Sequence, residues 1–314
     1  MERGALSGLP RVLILGGDGY LGWPLALLMH FWLLRRYDQE CFQNWFTWVH
    51  AFGFWLLAAI GACELHWLAH ENGLLHDSWS AAALVLAPGL LLLWASSKHA
   101  PTRWPLQRFA PSYLGWGAWP IIAGLAFWSL LTDFSNSGDA APLPYLPLLN
   151  PVDLAHVFVL LVAGKWILQS RNLALQWPQL DTTAYLRNFQ IALGALIFIW
   201  LNAMLLRSIH HWANVPYTLR DMLDSMLVQA ALSLFWSLLA LALMLTATRR
   251  AWRSLWMLGA VLMAVVVGKL FLVDLSSIGS VARIVSFIGV GLLMLLIGYV
   301  APVPPDQAKE PEPT

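Results

Sequence analysis

The stretch Met226-Leu-Val-Gln-Ala-Ala-Leu-Ser-Leu-Phe-Trp-Ser-Leu-Leu-Ala-Leu-Ala-Leu-Met-Leu-Thr246 decides the fold. It carries no charged side chain over 21 residues, and a helix of that length reaches about 31 Å, close to the hydrocarbon thickness of a bilayer. Peptide groups in hydrocarbon find no water, so a spanning segment must close its hydrogen bonds within itself. The stretch therefore reads as a membrane-spanning helix.

Eight more runs nearly free of charge lie at 12–34, 46–69, 79–95, 114–132, 152–168, 189–207, 254–273 and 284–301. With 226–246 they make nine spans, more than half of the 314 residues. The composition agrees: 59% of residues are apolar and 11% charged, against roughly 25% charged in a soluble domain. The alternation that a transmembrane barrel needs is absent. The expected fold is all-α, a polytopic transmembrane helix bundle of about nine spans forming one domain over residues 1–301. The tail 302–314, rich in Pro, Glu and Lys, reads as a disordered cytoplasmic segment. Pro24, Pro88 and Pro120 fall inside or near span ends, where kinks are expected.

Charge sets the orientation and excludes one class of partner. A net charge of +1, from 18 Lys+Arg against 17 Asp+Glu, offers no surface for nucleic acid. Eleven basic residues, among them Arg35, Arg36, Lys98, Arg103, Arg108 and Arg249, fall on one side of the alternating loops; Arg3, Arg11, Arg207, Arg220 and Arg283 make five on the other. The positive-inside rule places the first side in the cytoplasm of a bacterial inner (plasma) membrane, N-terminus outside and C-terminus inside. An N-out start without a cleavable signal fits a chain preceded by further helices in a longer protein. Of 19 Trp, eleven, including Trp32, Trp45, Trp94, Trp128, Trp166 and Trp252, sit near span ends as an interfacial belt, while Trp55, Trp200 and Trp236 read as core. Cys41 and Cys63 are too far apart along the chain for a mutual disulfide.

Several motifs invite chemistry. Gly17-Asp-Gly-Tyr-Leu-Gly22 matches GxGxxG after the strand-like Val12 to Leu15, but a dinucleotide fold needs alternating strands and helices in a water-facing domain, and membrane spans follow instead. Glycine-mediated helix packing is expected there, with no nucleotide and no cofactor. His66 and His70, four residues apart, share a helix face and are weak metal candidates; Trp67 stands where a zincin would place its glutamate. No metal site is expected beyond that pair. Lys165 can snorkel to the inner interface, whereas Lys269 lies deeper and calls for a carboxylate or carbonyl partner on another helix, with Asp153 or Glu64 favoured. Thr218 and Asp221 match a capping box, and Asn150 or Asp153 can cap the fifth span. Pro101 to Tyr113, with Arg103, Trp104, Arg108 and Phe109, suits the inner interface.

The stretches Lys269-Leu-Phe-Leu-Val-Asp274-Leu-Ser, Arg283-Ile-Val-Ser-Phe-Ile-Gly289 and Pro144-Tyr-Leu-Pro-Leu-Leu-Asn150-Pro-Val-Asp153, with Gly22-Trp-Pro-Leu-Ala-Leu and Leu232-Ser-Leu-Phe-Trp236, carry a resemblance. From about Leu21 to Pro305 the chain resembles the C-terminal part of the bacterial predicted membrane proteins of the domain of unknown function 2339 family. The resemblance implies an inner-membrane protein with no established activity and supplies no catalytic residues.

The leading functional reading is an envelope-related integral inner-membrane protein with a polar site at the outer face, built from Asp153, His156, Lys269, Asp274 and Arg283. A secondary transporter or channel-like protein is the second reading, and a non-catalytic scaffold or assembly subunit the third. Enzyme or not stays open among them. The partners expected are the lipid bilayer, other membrane subunits or preceding helices.

Overall fold

The computed structural model describes residues 19–38, 43–71, 77–172, 182–269 and 281–300. The described residues contain helices and turns and no strand. The chain divides into two compact units, residues 1–208 and 209–314, with the division in the last turns of one long helix.

The first unit holds α1 (Gly19–Arg36), α2 (Gln43–Glu71), α3 (Asp77–Ala83), α4 (Leu86–Ala95), α5 (Leu106–Ala110), a π-helical turn (Pro111–Trp116), α6 (Ala118–Ser135), α7 (Pro151–Asn172) and most of α8 (Thr182–Ala213). The second holds the end of α8, then α9 (Leu219–Asp224), α10 (Met226–Arg249), α11 (Arg253–Lys269) and α12 (Val281–Val300). Among the described residues six helical stretches are long and apolar enough to cross a membrane: Trp45–Glu71, Asp77–Ala95, Leu106–Ser135, Pro151–Arg171, Leu186–Ala213 and Met226–Arg249. Each overlaps one of the nine expected runs. Their outer faces are apolar, with Phe134 75%, Trp45 73% and Phe52 60% exposed, as lipid-facing positions require.

Breaks in the helices are met by indoles. Pro88 has no N–H and crowds the carbonyl four residues earlier, and the helix breaks there, between α3 and α4. Val85 N turns to Ala82 O at 3.4 Å, and the Ala81 carbonyl accepts from Trp128 Nε1 at 2.9 Å. Around the π-helical turn, Trp166 Nε1 donates to Leu114 O at 2.8 Å and Trp55 Nε1 to Gly117 O at 2.9 Å. Trp128 and Trp166, expected in the belt, are only 5% and 1% exposed. Position near a span end does not separate an interfacial Trp from one that satisfies a broken helix. Trp32, Trp45, Trp94 and Trp252 are exposed as a belt demands.

Close helix approach falls on other glycines than expected. A Cβ at Gly22 would meet nothing within 4 Å, so the GxGxxG stretch does not pack tightly at that point. Gly53 lies against the His30 ring, Gly89 against Phe158, and a Cβ at Gly61 would come 2.7 Å from Ala87 Cβ. Val12 to Leu15, the first glycine of the motif, Cys41, Asp274 and the tail 302–314 lie outside the described residues; Cys63 is a free, exposed thiol.

In the second unit Ala240, Met244, Met263, Val266 and Val290 form a small core between α10, α11 and α12. One half of the expected capping box is present: Thr218 Oγ1 accepts from Asp221 N at 3.2 Å and donates to the Asp221 carboxylate, while Thr218 N donates to Pro216 O; Ser225 caps α10.

Candidate functional site

The polar residues of the first unit gather where the ends of α6, α7 and α8 meet the loop 136–150. Asn150, just before α7, accepts from Asp153 N at 2.9 Å through its side-chain oxygen, the capping role expected of it. That cap turns the Asp153 carboxylate back over the helix start. It accepts from Leu148 N at 3.2 Å, from Asn150 Nδ2, from Trp200 Nε1 at 3.0 Å and from Arg207 Nη1 at 3.0 Å.

Arg207 is the hub. Besides Asp153, it donates through Nε to Asn136 O at 3.0 Å and through Nη2 to Thr132 O at 2.9 Å and Asp133 Oδ1 at 3.2 Å. Four of the five N–H groups of its planar fork are thereby placed on protein oxygens. Gly138 makes room for it: the backbone there has φ +74°, and a Cβ would come 3.0 Å from Arg207 Cδ.

His156 stands on the other side of Asp133. Its Nε2 lies 3.2 Å from Asp133 Oδ1 and 3.4 Å from Ser129 O, and its Nδ1 lies 2.8 Å from Val152 O. Both ring nitrogens therefore face oxygen acceptors. The imidazole is stacked on Trp200 at 5.9 Å and lies tilted to Trp128 at 5.0 Å. All four polar residues are buried, from 0% exposure at Asp153 and Arg207 to 4% at Asp133.

Of the five expected site residues, Asp153 and His156 come together here. Asp133 and Arg207 join them and were missed, Asp133 because it closes an otherwise apolar span and Arg207 because it reads as an outer-loop cation. Arg207 is an interior residue of α8 with no surface. Lys269 belongs to the second unit, where its Nζ donates to Gln229 O at 3.0 Å and Ser233 Oγ at 2.8 Å. The backbone of Arg283 is in the first turn of α12. His66 and His70 share a face with nearly parallel rings 6.3 Å apart, but His66 Nδ1 is bonded to Ser80 O at 2.8 Å. No third His, Cys, Asp or Glu joins them among the described residues.

The loop carrying Pro144 to Asp153, part of the sequence resemblance, is thus the segment that seats the arginine. The model of the family described as predicted membrane protein (DUF2339) matches residues 2–304. The chain belongs to this family. No curated protein and no solved structure matches it. Within the family's description the chain is a membrane protein with several apolar helices, and the environment of those helices is a lipid bilayer.

Proposed function

We propose that the chain is a non-catalytic scaffold subunit of a bacterial inner-membrane assembly, crossing the membrane nine times with its N-terminus outside and its C-terminus inside. Helices α1, α11 and α12 supply the spans beyond the six already counted. Removing buried Arg207 from the outer basic residues sharpens the charge asymmetry between the two faces.

The observation that carries the reading is the closure of the Arg207 cluster. Arg207 places four of its five N–H groups on protein oxygens, the Asp153 carboxylate accepts from Leu148 N, Asn150, Trp200 and Arg207, and all four residues of the cluster stand at 0–4% exposure. A transport or catalytic site keeps polar groups open for its ligand. This one ties α6, α7 and α8 to the loop above them.

The test replaces the cluster by apolar side chains of similar size: Asp133→Leu, Asp153→Leu, His156→Leu and Arg207→Met together. Apolar replacement of a whole buried ionic cluster is often neutral or stabilising. The scaffold reading expects a folded protein that complements a deletion strain as well as the native chain does. A folded protein that fails to complement returns the cluster to an active role.

A further inference from the structure

At the basic end of the first unit a cavity of about 190 Å³ opens between the end of α1, the start of α2 and the π-helical turn. Asp38, Phe46, Thr47, Arg108, Phe109 and Ser112 line it. Arg108 Nη1 lies 3.2 Å from Asp38 Oδ1, with the arginine side chain 45% exposed. The aromatic belt marks the cavity's depth. Trp45 and Trp48, beside Phe46 and Thr47, are 73% and 46% exposed, and the Trp48 ring lies 4.9 Å from, and tilted 41° to, that of the exposed Trp116 that ends the π-helical turn. Indoles that are exposed to lipid and grouped at helix ends sit at the headgroup level, so the cavity opens there.

A chain of rings leads from this wall to a second guanidinium outside the cavity lining. Arg108 lies over the Phe109 ring at 5.8 Å; Phe109 stacks on His50 at 4.1 Å, His50 meets Trp104 at 6.2 Å, and Arg35 lies over Trp104 at 5.9 Å. Behind the wall, outside the cavity lining, His50 Nε2 and Trp104 Nε1 are buried without a hydrogen-bond partner, as is Asp38 Oδ1 within it. Across residues 19–38 and 96–113 the described cations are Arg35, Arg36, Lys98, Arg103 and Arg108, against the single described carboxylate Asp38. Within the cavity Arg108 and Asp38 balance, but the end of the unit around it is net positive, and an aromatic-walled cavity at headgroup depth in that field matches one ligand chemistry.

We propose that this cavity binds the phosphate-bearing headgroup of an anionic membrane phospholipid, with Arg108 as its cationic contact and Arg35 adding to the positive field around it. Asp38 holds Arg108 when the site is empty, and the phosphate displaces that carboxylate. The site lies apart from the Arg207 cluster, and neither account depends on the other.

The test uses the full chain in detergent micelles and native mass spectrometry, with dioleoyl-phosphatidylglycerol, dioleoyl-phosphatidylcholine and inorganic phosphate as probes. The expected result is preferential retention of phosphatidylglycerol over phosphatidylcholine. Arg108→Gln and Arg35→Gln each reduce that preference about fivefold, the usual effect of one basic residue at an anionic surface. Arg220→Gln, on α9, leaves it unchanged. Asp38→Asn raises it by freeing Arg108, which decides the matter even if an arginine variant folds poorly. Equal retention of the two lipids, an Arg220→Gln effect as large as that of Arg108→Gln, or displacement of the lipid by an equal concentration of inorganic phosphate overturns the proposal.

Discussion

Arg207 on α8 reaches Asp153 on α7 at 3.0 Å with both side chains fully buried, and the same guanidinium binds Asp133 on α6 at 3.2 Å. One side chain joins three helices, alongside the contacts of His156 with Asp133 and of Trp200 with Asp153. Removing one member of such a buried cluster leaves an uncompensated charge, so Arg207→Gln should lower stability by about 3–5 kcal/mol. Arg207→Lys should not restore it, because one ammonium cannot span the acceptors that the planar fork bridges. Denaturation of the purified protein in micelles, followed by tryptophan fluorescence, measures both.

In the second unit Lys269 on α11 hydrogen-bonds Gln229 O and Ser233 Oγ on α10. Lys269→Met should cost about 1.5–3 kcal/mol, the range for hydrogen bonds to a charged group. A double-mutant cycle with Ser233→Ala should return a coupling near 1 kcal/mol, read from unfolding midpoints. Additive effects would show that the ammonium does not depend on this hydroxyl.

Glycine substitutions should separate tight crossings from open helix surface. A Cβ at Gly259 would stand 2.6 Å from Met244 Cγ and 3.0 Å from the Ala240 carbonyl, a backbone atom that cannot move aside. Gly259→Val should therefore destabilise the α10–α11 pair by about 1–3 kcal/mol. Gly268→Ala, with nothing within 4 Å, should be neutral or gain up to about 1 kcal/mol from helix propensity. Thermal unfolding of the two variants side by side gives the comparison.

Topology is open to cysteine labelling in a background without Cys41 and Cys63. Lys98→Cys and Arg250→Cys should resist a membrane-impermeant maleimide in intact cells, and Asp139→Cys should react. The opposite pattern inverts the orientation.

The helices were legible in the sequence because lipid imposes a single demand, long apolar runs with closed backbone bonding, that composition alone reveals. The polar core was half legible. Asp153 and His156 stand out as ionisable residues early in a span, but their partners come from residues 20 or more positions away, and nothing local to Asp133 or Arg207 announces the meeting. Arg207 at the end of an apolar run looks like a loop cation. The loop 136–150 folding over it, with Gly138 in the left-handed region, is what buries it. The same limit applies to Trp128 and Trp166, whose roles depend on which carbonyls a kink elsewhere sets free.

The central claim is that the Arg207 cluster is closed to the aqueous phase, and Ser129 tests it most directly. Ser129 is 4% exposed, its carbonyl faces His156, and Ser129→Cys is nearly isosteric. With Leu143→Cys, at 56% exposure on the covering loop, as the reference, an impermeant maleimide is applied to intact cells or sealed vesicles from both sides. The account predicts rapid reaction at position 143 and none at 129 until the protein is denatured. Reaction at 129 on the timescale of 143 would contradict it, because a water-filled path would then lead to His156 and Asp133.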